Sequence, residues 1–374
     1  MMVLPFFPPD LFDGERDVLL DLIREVGLDP AQRFVLGERT ARFEEALAAS
    51  LGDGSVHVVA CGSGTSALGM VLHAIDVTPG AEVVVPAFGC APLAATVVNL
   101  GATPVFADID PHTMVVDPDD VERSITGRTH AVVAAHMFSV MADMPRLRAL
   151  AHTTGVRLVE DSAVAQGGVL DGVPAGLWGE AGVFSFVQVK TFGMPGEGGV
   201  VVTRDADLAA TARMLRNHGQ DGRHRFVHHR VGYNSRFDEL QAAFQLHRLR
   251  TFPERLARRA RIAAYYTERF APLTDRGVRP PPARRDGRCH YVYSLLAERR
   301  DDLRAHLAEH GIGAHVYYPA PLPRQPAFAP YAPPGRTWPH AEHASAHTLA
   351  IPVYPHLTDA EVEHIADAVV GFTR

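Results

Sequence analysis

Lys190 is the only lysine in a chain that carries 35 arginines. It follows the apolar run "VFSF" and precedes a glycine-rich turn, within "FSFVQVKTFGMPGEGG" (184–199). An arginine would serve equally well as a plain surface charge, and this composition favours arginine. An amine is needed where the chemistry is covalent, because lysine condenses with an aldehyde to a Schiff base and a guanidinium does not. Desolvation near a buried strand end lowers the amine's pKa and frees its lone pair. The bland alternative is a chance survivor. Two other features fall where apolar runs end. "CGSGT" (61–65) joins a run to a helical pattern. Its small residues let backbone N–H groups approach an anion, and a helix N-terminus adds partial positive charge. It lacks the spacing of a Walker loop, and alone it reads as a tight turn with Thr65 near an N-cap. Asp161 closes "VRLVED". An acid there suits a metal ligand, a general base or a partner for a cationic ring nitrogen; alone, it reads as a helix cap.

Taken together, an anion cradle, an acid and an imine-forming lysine are what pyridoxal 5′-phosphate needs. The cradle holds the phosphate, the carboxylate pairs with the pyridinium nitrogen, and the lysine holds the aldehyde carbon as an internal aldimine. An amino donor displaces the lysine, which then acts as general base between the donor α-carbon and the cofactor's C4′, leaving pyridoxamine phosphate.

The elements that must position these groups follow from apolar periodicity. "VHVVA", "AEVVVPAF", "TPVFADID", "HAVVAAHMF", "VRLVED", "AGVFSF" and "GGVVVT" read as strands, and helical patterns such as "APLAATVVNLG" and "MPRLRALAHTTG" separate several of them. The alternation predicts an α/β fold with a mostly parallel central sheet buried on both faces. In such sheets ligands sit beyond the carboxyl ends of the strands. The texture changes near residue 248. "RLRTFPERLARRARIAAYYTERF" reads as a long basic helix, a solvated connector, and "DRGVRPPPARRDGR" as a proline-rich loop. A strand over "HYVYSLL" and helices over "RDDLRAHLAEHG" and "TDAEVEHIADAVVGF" then predict a smaller α/β unit. The expected division is a large cofactor-binding domain over 1–248 and a small C-terminal domain over 249–374.

The segments "GERTARFEEALAASLG", "SGTSAL", "VVVPAF", "GATPVFADID", "VEDSA", "GVFSFVQVKTFGMPGEGGVVVT", "MLRNHGQ", "VGYNSRFDELQAA", "QPAF" and "IPVYPHLT" resemble, in this order, the DegT/StrS family of fold-type-I aminotransferases. Many members of that family act on nucleotide-linked keto sugars. The resemblance implies that Lys190 is the aldimine lysine and Asp161 the acid on the pyridine nitrogen. It implies that Gly64, Thr65 and Ser185 bind the phosphate. Asn234, in "GYNSR", resembles an asparagine that reaches the phosphate from the other subunit, which implies a homodimer with shared active sites. Glutamate or glutamine is the implied donor and a keto sugar the implied acceptor.

Departures from the family pattern cluster around the same place. The family's ring-stacking aromatic is replaced by Cys90, with Phe88 two residues earlier. The position three after the acid, usually His or Gln, is Val164, with Gln166 two further on. "GIGTxxHYP" appears as "GIGAHVYYP", so Tyr317 replaces a histidine and His315 is nearby. Tyr317 and His315 are therefore candidate substrate contacts. So is Arg230, in the basic cluster "RHRFVHHR" (223–230), whose guanidinium forks suit a diphosphate; an exposed loop is the equal alternative.

His340, His343 and His347 in "HAEHASAH" share one helical face, but no carboxylate or cysteine completes a ligand set, and a solvated face is the better reading. No metal is expected. A net charge of −7 argues against a nucleic-acid partner, and no stretch is apolar for the length a bilayer needs. Three scattered cysteines and an N-terminus without a basic flank point to a reducing cytoplasm. Two alternatives stay open: an aminotransferase for a cyclitol or other cyclic ketone, and a non-catalytic regulator that binds the cofactor. A sugar dehydratase of this family would lack the lysine.

Overall fold

A computed structural model describes residues 3–8, 11–52, 54–138, 140–283 and 286–373. Arg284 and Arg285 of the expected proline-rich loop, and residues 1, 2, 9 and 10 of the N-terminal segment, lie outside them. Short runs of β-branched residues form the strands of the larger sheet: β1 (His57–Cys61), β2 (Glu82–Pro86), β3 (Thr103–Ala107), β4 (Thr129–Ala135) and β5 (Arg157–Asp161). A two-stranded ribbon, β6 (Val169–Leu170) and β7 (Val173–Pro174), precedes β8 (Ala181–Ser185) and β9 (Gly199–Thr203). The sheet order is β1-β9-β8-β5-β4-β2-β3. Strands β3, β2, β4, β5 and β8 run parallel, and β9 is antiparallel to both of its neighbours.

The connections explain that mixture. Helices α1 (Arg16–Gly27) and α2 (Glu38–Leu51) precede the sheet. Crossovers through α3 (Gly64–Ala74), α4 (Pro92–Asn99), α5 (Pro118–Ser124) and α6 (Met144–Thr154) return the chain to the same end, so the strands they join run the same way. The β8–β9 link is a tight loop without a helix, so β9 comes back antiparallel. Because the parallel strands are covered on both sides, they are continuous apolar runs; every residue of β2 is buried.

Register places the chemistry in one row. Asp161 lies opposite Ala135 on one side and Val183 on the other. Ser185 lies opposite Gly199, and Gly199 opposite Cys61. The carboxyl ends of β1, β4, β5 and β8 therefore face one region, where ligands of open α/β sheets bind.

After α7 (Ala206–Leu215) and α8 (Glu239–Leu249), α9 (Phe252–Phe270) leads into a second, antiparallel sheet. Its strands are β10 (Val278–Arg279), β11 (Tyr293–Ala297) and β12 (Thr348–Ile351), packed with α10 (Arg300–Glu309), α11 (Pro339–His347) and α12 (Asp359–Phe372). A separate core holds Ile262, Tyr266, Phe270, Tyr293, Leu303, Leu307, Ile365 and Val369. This corrects the reading of α9 as a solvated connector. One face of α9 is the wall of that core, and Arg259 is itself buried, with Nη1 donating to the carbonyls of His290 and Tyr291 at 3.1 Å each. Arginine's long stem lets a helix be basic in sequence and apolar in packing.

Two ties hold the frame. Glu239, at the start of α8, is 1% exposed, and its carboxylate accepts the N–H groups of Gly37, Arg39 and Thr40 at 2.8–2.9 Å. A carboxylate at the N-terminus of α2 satisfies donors that the helix leaves unpaired and complements its dipole. The N-terminal segment is tied to the small unit: Leu4 donates to Gly311 and accepts from Gly313, at 2.7 and 2.8 Å. No described helix is long and apolar enough to cross a membrane.

Candidate active site

Asp161 ends β5 and is 6% exposed. Its Oδ1 accepts the N–H of Ala163 at 3.0 Å. Burial pushes its carboxyl above the ordinary range, opposed by that N–H, the Lys190 amine and His136. Behind it, Glu160 is fully buried and serves as a hub. It accepts Gly176, Trp178 and Gly179 N–H groups at 2.6–3.0 Å and pairs with His136 Nε2 at 3.0 Å. His136 Nδ1 accepts the N–H of Ala142. Neighbouring acids of one strand point to opposite faces, so Glu160 anchors the sheet while Asp161 faces the site.

Lys190 sits in the turn after β8. Its N–H donates to Val187 at 2.9 Å and its carbonyl accepts from Gly193 at 3.0 Å. Burial pushes the amine below its usual pKa, while Cys90, Asp161 and Glu197 pull it back up. Nζ stands 4.7 Å from the centroid of the Tyr291 ring. Cys90 belongs to the same group. Burial, helped by Asp161 and opposed by Lys190, raises its thiol to about 12, so at neutral pH the group is an uncharged thiol.

The anion cradle is a close approach of backbones. A Cβ on Gly64 would lie 2.7 Å from that of Ser185, and one on Gly199 would lie 2.5 Å from the Gly64 nitrogen. Only glycines allow this approach. Ser63, not Thr65, caps α3: its Oγ accepts the N–H of Ser66 at 3.0 Å. Thr65 stands exposed in the first turn.

Of the two candidates for the ring face, Phe88 is fully buried and meets Phe138 and Tyr318 edge-on, whereas Cys90 lies among the polar groups of the site. Val164 is half-buried in the turn after Asp161. In that same turn the buried Ser162 Oγ and Gln166 Oε1 have no hydrogen-bond partner among the described residues.

Tyr317 is half-buried beside Phe138 and Tyr318, and its hydroxyl is electrostatically coupled to that of Tyr291. His315 is exposed and stacks on Phe6 at 4.5 Å. Asn234 and Arg230 stand apart from this pocket wall, on an exposed stretch that includes Phe226 (71% exposed) and Val231 (85%). Ser235 ties that stretch to the cradle by accepting the Gly62 N–H at 3.1 Å. On the same stretch the ligand atoms of Asp221, His224 and His229 lie within 4.8 Å of one another. Asp221 is already occupied by the N–H groups of Arg223 and His224, both at 2.9 Å. On α11, His343 and His347 stack on each other at 4.0 Å.

Sequence reading missed Tyr291, Tyr318, Phe138 and the Glu160–His136 pair. A β-strand's neighbours across the sheet leave no local pattern, but Phe138 has a backbone φ of 54°, which a bulky residue adopts only when the surroundings require it.

These groups fit pyridoxal 5′-phosphate. A buried carboxylate has one oxygen committed to Ala163, a shifted amine stands nearby, and a glycine-lined helix start offers free N–H groups. The unsatisfied Ser162 and Gln166 add polar capacity that the protein itself does not use.

Residues 23–370 match the DegT/DnrJ/EryC1/StrS aminotransferase family. The chain is 38% identical over 361 residues to the UDP-N-acetyl-3-dehydro-alpha-D-glucosamine 3-aminotransferase of Acidithiobacillus ferrooxidans, covering 95% of this chain and 93% of that one. It is 38% identical over 339 residues to the dTDP-3-amino-3,4,6-trideoxy-alpha-D-glucose transaminase of Streptomyces venezuelae, covering 90% and 88%. Among solved structures it superposes on S. venezuelae DesV in complex with a ketimine intermediate. The TM-score is 0.94 at 35% identity, over 100% of this chain and 99% of that one.

Proposed function

The chain belongs to the DegT/DnrJ/EryC1/StrS aminotransferase family and is a pyridoxal-phosphate-dependent aminotransferase; from that premise we propose that it transfers an amino group from glutamate or glutamine to a nucleotide-linked keto sugar. The observation that carries the reading is the one lysine of the chain, held with Asp161 and Cys90 beyond the strand ends. The sugar acceptor is supported by relatives of high coverage whose names specify UDP- and dTDP-linked sugars.

In this reading Lys190 Nζ would bind the cofactor's carbonyl carbon, Asp161 its ring nitrogen, and Gly64, Thr65 and Ser185 its phosphate. When bound, the cofactor supplies an electron sink for the donor's α-carbon. Lys190, once free, accepts the α-proton at Nζ and returns a proton on the other side of the transfer. Its lowered pKa keeps Nζ available as a base. Asp161, deep in the sheet, excludes water from the nitrogen it holds. Cys90 and Val164 leave less bulk over the ring than an aromatic and a histidine would. Tyr317, on the pocket wall, would meet the acceptor, and His315 and Arg230 would do so only from outside that wall.

The working unit is a homodimer in which Asn234 of a second copy completes the phosphate site. The exposed Phe226 and Val231 beside it support this, since large apolar side chains on one loop mark an interaction surface. The protein works in the cytoplasm, in secondary-metabolite or surface-glycan synthesis. The test is to add glutamate and, separately, glutamine to the protein loaded with pyridoxal phosphate. With one of them, loss of the visible absorption with stoichiometric 2-oxoglutarate or 2-oxoglutaramate is expected. No spectral change and no keto acid would overturn the reading in favour of a cofactor-binding regulator.

A further inference from the structure

Tyr291 comes from the segment just before β11, yet its ring lies against the amine of the β8–β9 loop, 4.7 Å from Nζ to centroid. Groups from three segments surround that residue. Tyr317 is its neighbour on the pocket wall. Phe7 of the N-terminal segment lies 6.3 Å from its ring at 31°. The backbone carbonyl of Tyr291 accepts from Arg259 of α9. The side chain is 8% exposed, so nothing here is a surface accident.

Resting on the aminotransferase reading, we propose that Tyr291 is a positioning residue for Lys190: its ring face receives the amine whenever the lysine is not bonded to the cofactor, and stabilises the ammonium formed when Nζ takes up the donor's proton. In that step the donor's α-carbon–hydrogen bond breaks, an N–H bond forms on Nζ, and the electron pair stays with the bound donor. A buried base must be neutral before the step and tolerated as a cation after it. Burial provides the first condition. The second needs a partner, and Asp161 is committed to the ring nitrogen. The negative face of an aromatic ring attracts an ammonium without taking its proton. The other groups facing Lys190 are Cys90 ahead of α4, Asp161 of β5 and Glu197 of its own loop. Those facing Tyr291 are Tyr317, Arg259 and Cys90.

Because the chain has one lysine, its amine can be observed without assignment. Full-length protein carrying ε-13C-lysine gives a single lysine side-chain signal, which is titrated in the cofactor-free form and with pyridoxamine 5′-phosphate bound. Tyr291→Phe, which keeps the ring, holds the native midpoint. Tyr291→Leu lowers it by about half a unit to one and a half units. Phe7→Ala, which leaves the ring but loosens it, lowers it by less and serves if the leucine variant does not fold. A native midpoint in the soluble variants, or a phenylalanine variant shifted as far as the leucine one, overturns the proposal. Conversion of the native protein by glutamate or glutamine is scored separately. Its failure overturns the aminotransferase reading, whereas an unmoved midpoint overturns only the role of Tyr291.

Discussion

The strand-end pocket and the largely exposed 221–234 stretch, which sequence resemblance joins into one site, are built on opposite terms. In the pocket, Asp161, Lys190 and Cys90 are polar groups held in buried surroundings, with pKa values displaced by that burial. On the exposed stretch, polar groups are satisfied locally and the apolar ones face outward, Val231 and Phe226 most of all. The pocket stores unfavourable electrostatics that a bound ring and phosphate would relieve. The stretch leaves apolar area that a second protein surface would cover. In the proposed dimer one chain would supply the chemistry and another copy would complete the phosphate site.

The largest expected effect breaks the pocket half alone. Lys190→Ala lowers turnover by at least about 10³-fold, since it removes both covalent attachment and general base, while gel filtration shows an unchanged assembly. Next is the frame. Glu239→Ala leaves three backbone donors of α2 without their acceptor, at about 1–3 kcal/mol for each buried donor left unpaired. Thermal unfolding is expected to fall markedly, in contrast to the lysine variant.

The exposed half is broken by Phe226→Asp with Val231→Asp. Dimer content falls with concentration in sedimentation, and the cofactor binds more weakly. Asn234→Ala weakens cofactor binding by about 10- to 100-fold, the value of a hydrogen bond to a charged group, without dissociating the dimer. A monomeric native protein with full cofactor affinity would contradict the division of labour.

A subtler effect is in stability against pH. The carboxyl of Asp161 is raised in the folded state, so folded protein holds a proton that the unfolded chain releases, and stability is lost as pH rises through that interval. Asp161→Asn therefore unfolds at higher temperature than the native protein at pH 7, both without cofactor. The gap closes as pH falls below the ordinary aspartate value of about 3.9. Smallest of all, His340→Ala on α11 changes stability by no more than about 0.5 kcal/mol and leaves activity alone, as a solvated histidine should.

How much of this was legible depends on whether the information is local. Apolar runs such as "EVVVP" and "HVVAC" announce buried strands because their neighbours are other strands. Lys190 stands out by composition, and Asp161 and Ser185 by closing such runs. That Ser63 rather than Thr65 caps α3 is not legible, because a serine and a threonine two residues apart cap about equally well in sequence, and backbone angles decide between them. Tyr291 and Phe138 could not be found, since each reaches the pocket from a segment far away in the chain. The sign of α9 was misread for a physical reason: counting arginines measures charge, whereas burial of their stems and of Ile262, Tyr266 and Phe270 decides where the helix lies.

The most direct measurement uses the solitary lysine again. Protein loaded with pyridoxal phosphate is reduced with borohydride, digested and examined by mass spectrometry. The account predicts one cofactor mass per chain, fixed on the peptide that carries Lys190, and its loss after prior treatment with glutamate or with glutamine. Cofactor retained without a covalent link to Lys190, or a link that neither donor removes, would contradict it.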